Sequence, residues 1–122
     1  MVGQLASENR LKLSDKPSIH IPKFQFFNAE IDQRITIGDL LSHRSGIGDH
    51  GLSLVLFTVS SKSITVKRLP YLKPQGEMGN SFIYSNMGYT LAAAIIESVT
   101  ERTFATAISI NTSLLKSALF NE

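Results

Sequence analysis

The stretch from Ser85 to Val99 constrains this chain more than any other. Tyr89, Ala92, Ala93 and Ile96 recur at the three- and four-residue spacing of a single helix face. The many alanines of this stretch permit close packing against a neighbouring helix. Just before it, Phe82-Ile83-Tyr84 reads as a brief extended piece. A second helix start is written at Ile35-Thr36-Ile37-Gly38-Asp39-Leu40-Leu41. Thr36 is placed to accept from the early backbone amides, and Asp39 sits where a capping box wants an acid. That helix should stop by Ser45-Gly46, where glycine can take the left-handed conformation. Gly46 to Gly51 follows as a loop.

The remaining segments are mostly helical too. Met1 to Asn9 looks like the last turns of a helix, with Val2, Leu5 and Ala6 on one face. Leu11 and Leu13 alternate with polar residues, and Ser14-Asp15-Lys16-Pro17 makes a turn. His20 to Phe27 is a short apolar segment interrupted by Pro22. Leu52 to Val59 is a continuous apolar run that fits either a buried strand or a short helix. Ser63 to Leu72 reads as a short helix ended by Pro74-Gln75-Gly76. Thr103 to Leu119 reads as a last helix, with Phe104, Ala107, Ile108, Leu114 and Leu115 as candidate core. No repeat and no convincing sheet is visible. The expected fold is mainly α, a lone helical lobe of the sort that belongs to something larger.

At 122 residues the chain holds one domain, and 43% apolar against 18% charged residues is globular composition. The net charge of +2 makes no nucleic-acid footprint, and the Lys62, Lys67, Arg68 and Lys73 cluster reads as a solvated helix face. The longest near-apolar stretch, Met87 to Ile96, is far short of the roughly 20 residues a membrane span needs. The start of the chain does not read as a signal peptide, and the sequence names no compartment. There is no cysteine, which excludes disulfides and thiol chemistry.

Several short patterns compete for attention. Gly46, Gly48 and Gly51 satisfy G-x-G-x-x-G, but a helix rather than a strand precedes them, so they read as loop glycines. His20, His43 and His50 lack metal-ligand spacing, so no metal and no cofactor is expected. Asn111-Thr112-Ser113 is a glycosylation sequon only by pattern, within an expected helix. Ser113-Leu114-Leu115-Lys116 matches S-x-x-K, in which a lysine can activate a serine, but it reads as part of an amphipathic helix.

Tyr84-Ser85-Asn86 is the informative triplet. Tyr84 and Asn86 flank one residue where an extended piece meets a long helix. A tyrosine phenol serves as a general base at neutral pH only when a cation lowers its pKa from about 10. An asparagine offers both a donor and an acceptor for orienting an amide or ester. The same residues also fit a capped helix end with a packed tyrosine, and both readings stay open on the triplet alone.

Together the segments resemble the β-lactamase-related serine hydrolases: class C β-lactamases, penicillin-binding DD-peptidases and related esterases. Leu5 to Pro17 looks like the end of the family's nucleophile helix and the turn after it. Ile35 to Ile47, ITIGDLLSHRSGI, is similar to the family's ITIRHLLSHTSGL helix. Phe82 to Thr100 is similar to its F-x-YSN-x-GY-x-L-x-x-x-IIE-x-VT segment. The order is the family's order, and the three segments span almost the whole chain.

The resemblance implies an acyl-serine mechanism on amide or ester substrates. In it an S-x-x-K lysine and the Y-x-N tyrosine manage the serine's proton. Tyr84 is the implied catalytic residue and Asn86 the implied substrate-binding residue, while His43 and Ser45 match positions that hold the helix end and the loop. The family's S-x-x-K falls upstream of Met1, and its K-T-G or H-x-G strand falls beyond Glu122. Ser113 to Lys116 follows Tyr84 and cannot stand in for the first motif. Glu101 replaces the glycine usual after Thr100, and the glycine usual near Asn9 is missing. Residues 1–122 are therefore expected to be a partial domain, the helical lobe of the α/β serine β-lactamase or DD-peptidase fold truncated at both ends, and inactive alone. The implied partner of the parent is a small-molecule amide or ester, with no nucleic acid and no membrane span. The alternative is a non-catalytic helical interaction module that self-associates through an exposed apolar face.

Overall fold

The structure, a computed structural model, describes residues 1–48 and 66–120. His50, Gly51, the apolar run Leu52 to Val59, Lys62 and the first residues of the helix expected from Ser63 lie outside the described residues.

Helix α1, Val2–Ser7, buries Leu5, and Val2 and Ala6 pack beside it against the core. Leu11 is buried and Leu13 is half exposed, as alternation dictates. A short helix α2, Pro17–His20, then begins where only a turn is expected. Its proline sits in the first turn, where the missing N–H costs nothing. Helix α3, Ala29–Arg34, is also absent from the sequence reading. Its signals are local: the Asn28 side chain accepts from Ile31 N at 3.0 Å, and Glu30 and Asp32 stand in the first turn.

Helix α4, Ile37–Leu41, starts as expected. The Asp39 N–H donates to Thr36 Oγ1 at 3.2 Å, and Asp39 Oδ2 accepts from Thr36 N at 3.0 Å. Two more early amides would otherwise be orphaned. Ile37 N donates to Asp15 O at 2.9 Å and Gly38 N to Leu13 O at 2.8 Å, so the turn after α1 caps α4. Thr36→Ala should therefore cost about 1 kcal/mol in urea unfolding, with Thr36→Ser near the parent. Equal stability of the alanine variant would remove the capping box from this account.

That capping turn is itself held by Asp15. The Lys12 backbone N–H donates to Asp15 Oδ2 at 2.8 Å, and the His20 ring lies 2.9 Å from the same oxygen. The Lys12 bond chiefly, with help from His20 and against partial burial, holds this carboxyl below its usual range. A lowered folded pKa stabilises the protein above the unfolded value of about 3.9, and the contribution is lost as pH falls through the folded value. Asp15→Asn should thus cost about 1–2 kcal/mol at pH 7. The gap to the parent should begin to narrow in melts run below about pH 4 and close as pH falls through the lowered folded value. A gap that persists unchanged in acid would contradict this.

The helix stops at Leu41, earlier than Ser45-Gly46, because His43 already takes the left-handed conformation with φ 59°. Beyond the undescribed segment, residues 66–68 are helical and Leu69–Tyr71 tighten into a 3₁₀ turn. The Lys67, Arg68 and Lys73 side chains are exposed there. Helix α5, Asn86–Thr100, is the centre of the fold. Ser85 caps it by accepting from Gly88 N, and it buries Met87, Gly88, Leu91, Ala92, Ala93, Ile95 and Ile96. Tyr89, placed on its apolar stripe by the periodicity, is instead half exposed.

Helix α6, Phe104–Phe120, packs on α5 with its first turns only. Ala107 is buried and Phe104 partly so, but Ile108, Leu114 and Leu115 are exposed rather than core. Side chains 112–119 are all exposed, because α6 runs past the elements that could cover it. Ser113 Oγ donates to Ser109 O of its own helix at 3.0 Å, and Lys116 is exposed three residues on. No strand occurs among the described residues, so the fold is mainly α. No helix of the described residues is long and apolar enough to cross a membrane.

Candidate active site

Three segments meet at the end of α4: the loop after Leu41, the chain from residue 75 to 84, and the start of α5. The backbone ties between them are regular. Gln75 N and Gly76 N both donate to Gly46 O, at 2.8 and 3.2 Å. Gly79 N donates to Arg44 O at 2.8 Å, and the Arg44 guanidinium donates back to Gly79 O through Nε, at 2.8 Å, and through Nη2. Gly46 is required at this turn. Its φ is +73°, and a Cβ there would lie 2.5 Å from Gly76 O. It is a loop glycine, consistent with the reading of the G-x-G pattern; Gly51 of that pattern is outside the described residues. Ser45 is buried and accepts from Ile47 N at 3.3 Å, which stiffens the same loop.

This platform carries Tyr84 and Asn86. Tyr84 is the last side chain but one before α5, and 61% of it is exposed. Asn86 is the first residue of α5 and is half buried. The two side chains meet: Tyr84 Oη donates to Asn86 Oδ1 at 3.2 Å. The spacing of the triplet therefore produces a joined phenol and carboxamide at the protein surface. The Tyr89 hydroxyl donates to Leu41 O at 3.0 Å and satisfies one of the last carbonyls of α4.

His43 is the residue that sequence reasoning placed only as a helix terminator. Its ring stands 4.7 Å from the Tyr84 ring and 5.3 Å from the Tyr89 ring, each tilted by 34°. Phe82 meets the same ring edge-on at 5.5 Å and 79°. Phe82, Ile83 and Tyr84 form neither helix nor strand. No local signal reveals this cluster, because His43 reaches it from a distant part of the chain.

The other sequence candidates lie elsewhere. His20 is paired with Asp15 beneath α4, and His50 is outside the described residues. No group of three His, Asp and Glu able to hold a metal occurs among the described residues. Two clefts, of about 210 and 500 Å³, open between α1 and α6 and beside Phe24, and Tyr84 lines neither.

Comparison with known proteins gives this geometry a context. The chain is 34% identical over 105 residues to Protein flp of Staphylococcus aureus strain NCTC 8325 / PS 47, covering 83% of this chain and 21% of that protein. Protein flp of strain N315 is 32% identical over 103 residues with the same coverage. The chain thus spans about a fifth of the length of the curated relatives it matches. Among solved structures, a D-stereospecific amidohydrolase from a Streptomyces species superposes with a TM-score of 0.72 at 26% identity, covering 88% of this chain and 35% of that one. The helices described above match about a third of that longer chain. The family model described as Beta-lactamase matches residues 1–113, nearly the whole chain, and by that match the chain belongs to the beta-lactamase family of serine-hydrolase-related proteins.

Proposed function

We propose that this chain is the helical part of a hydrolase or acyltransferase that works through an acyl-serine on small amide or ester substrates. The observation that carries the reading is the Tyr84–Asn86 pair, an accessible phenol hydrogen-bonded to a carboxamide on a rigid helix start. In this reading a serine hydroxyl attacks the substrate carbonyl, and the amine or alcohol leaves with a proton. Tyr84 handles that proton, and Asn86 orients the substrate amide or ester. Membership of the beta-lactamase family and the likeness to an amidohydrolase support the substrate class. In this reading the serine–lysine pair would come from polypeptide outside these 122 residues, with residues 1–122 a partial domain.

Nucleophile and base act as a unit, and losing one removes nearly all the catalysis. The 122-residue chain alone, given a chromogenic β-lactam or an activated ester, should therefore show no saturable turnover and no acyl adduct by intact mass. Turnover that Tyr84→Phe abolishes would overturn that division of labour.

A second reading is favoured by α6. Leu114, Leu115 and Leu119 are 59%, 56% and 72% exposed on its outer turns. Such a ridge suits pairing with a second copy of the chain, which would make the isolated chain a self-associating helical module. Size-exclusion chromatography separates the readings. A sharp dimer that Leu115→Glu converts to monomer supports the module.

A further inference from the structure

We propose that His43 is a positioning residue for Tyr84, a role that rests on the functional reading of Tyr84 given above. The turn that ends α4 needs one left-handed residue. Glycine is the usual choice there, and a β-carbon at that conformation is strained. His43 occupies it with φ 59°. A residue that only ended the helix would use nothing beyond its backbone, and His43 uses three separate parts of itself on one short segment.

Its carbonyl accepts from Ile83 N at 2.8 Å. Its Nδ1 accepts from Ser85 N at 3.1 Å. Its ring face lies against the ring of Tyr84. Ile83 and Ser85 flank Tyr84, so both neighbours of the tyrosine and its ring are anchored to one residue. Phe82 joins Tyr84 against the same imidazole. Tyr84 is largely exposed, and among the described residues its ring meets that of His43. Its direction, and with it the bond to Asn86, is set by the histidine beneath it. The strained backbone of His43 is what turns its ring towards that segment.

Two variants separate positioning from helix termination. His43→Gly fits the left-handed backbone and keeps the carbonyl but deletes the ring. His43→Asn also tolerates that backbone and can accept from Ser85 N, but offers no aromatic face. In NMR of the 122-residue chain, His43→Gly should move the Tyr84 ring resonances to solvent-exposed values. It should also speed Ser85 amide exchange about tenfold. His43→Asn should restore the Ser85 protection without restoring the Tyr84 shifts, and it carries the test should the glycine variant not fold. Tyr84 resonances unmoved in both variants, with stability equal to or above the parent, would overturn the proposal and leave His43 a helix terminator.

A second arm uses a polypeptide extended to carry the serine and lysine that the proposed function requires. There His43→Gly should lower kcat about tenfold to a hundredfold. It should lower it no further once Tyr84→Phe is present. An equal drop on the Tyr84→Phe background would overturn positioning through Tyr84. If Tyr84→Phe itself leaves kcat unchanged, the catalytic reading of Tyr84 falls, while the NMR arm still decides what His43 holds.

Discussion

Gly88→Val should remove about 3 kcal/mol of stability, a large share of what a domain of this size has to lose. In an isolated helix the smaller change, Gly88→Ala, would stabilise by about 1 kcal/mol, since glycine is a poor helix former. Here the sign should reverse. A Cβ on Gly88 would lie 2.9 Å from Leu40 O, 3.5 Å from Leu40 C and 3.6 Å from Leu40 Cα. These are backbone atoms of α4 and cannot swing aside as a side chain can. Gly88 is therefore where α5 lies directly against α4, and any β-carbon must push the two helices apart. The displacement would spread to the core around Leu40, Met87 and Leu91, all of them buried. Urea unfolding of the parent, alanine and valine forms gives the series. Alanine as stable as glycine would mean that the contact is not close.

The same contact sets the site. The end of α4 supplies His43, and the start of α5 supplies Ser85 and Asn86, so the Gly88–Leu40 approach fixes how near they stand. In the valine variant the His43–Ser85 and Tyr84–Asn86 bonds should weaken together.

The parts of this structure that depend on neighbouring residues were legible. The Thr36–Asp39 capping box and the apolar face of α5 are local patterns, and local patterns survive into the fold. Tyr84 and Asn86 were legible only as two residues flanking a helix start; the hydrogen bond between them is seen in the structure alone. Helix α3 had a readable cap at Asn28, but at six residues it is too short to show a hydrophobic period. Leu114 and Leu115 mark the opposite limit. Periodicity tells which face of a helix can be buried and says nothing about whether another element is there to bury it. Tyr89 fell on the apolar stripe yet is half exposed, because its hydroxyl reaches the end of α4 and its ring flanks His43. The role of His43 was hidden for a simpler reason. The signal that it ends a helix is local, while its contacts to Ile83, Tyr84 and Ser85 exist only once the chain has folded back.

Tyr84→Phe carries the largest functional effect expected. If, as proposed, Tyr84 is a general acid–base group, then in a polypeptide extended to carry the serine and lysine the substitution should slow acylation by about 10²- to 10⁴-fold. Folding should be nearly untouched. The ring and its place against His43 are kept, and the one bond lost, to Asn86, is exposed and contributes about 0.5 kcal/mol. Asn86→Ala should cost less in rate, since a carboxamide orients the substrate without transferring a proton.

The direct measurement is the single-turnover rate at which a polypeptide extended to carry the proposed serine and lysine acquires an acyl group from a chromogenic β-lactam or activated ester. It is followed by intact mass in the parent, Tyr84→Phe and Asn86→Ala forms, with melting temperatures alongside. The account predicts a serine adduct in the parent and a hundredfold or greater slowing in Tyr84→Phe at unchanged melting temperature, with a smaller loss in Asn86→Ala. An adduct that forms equally fast without the Tyr84 hydroxyl would contradict it.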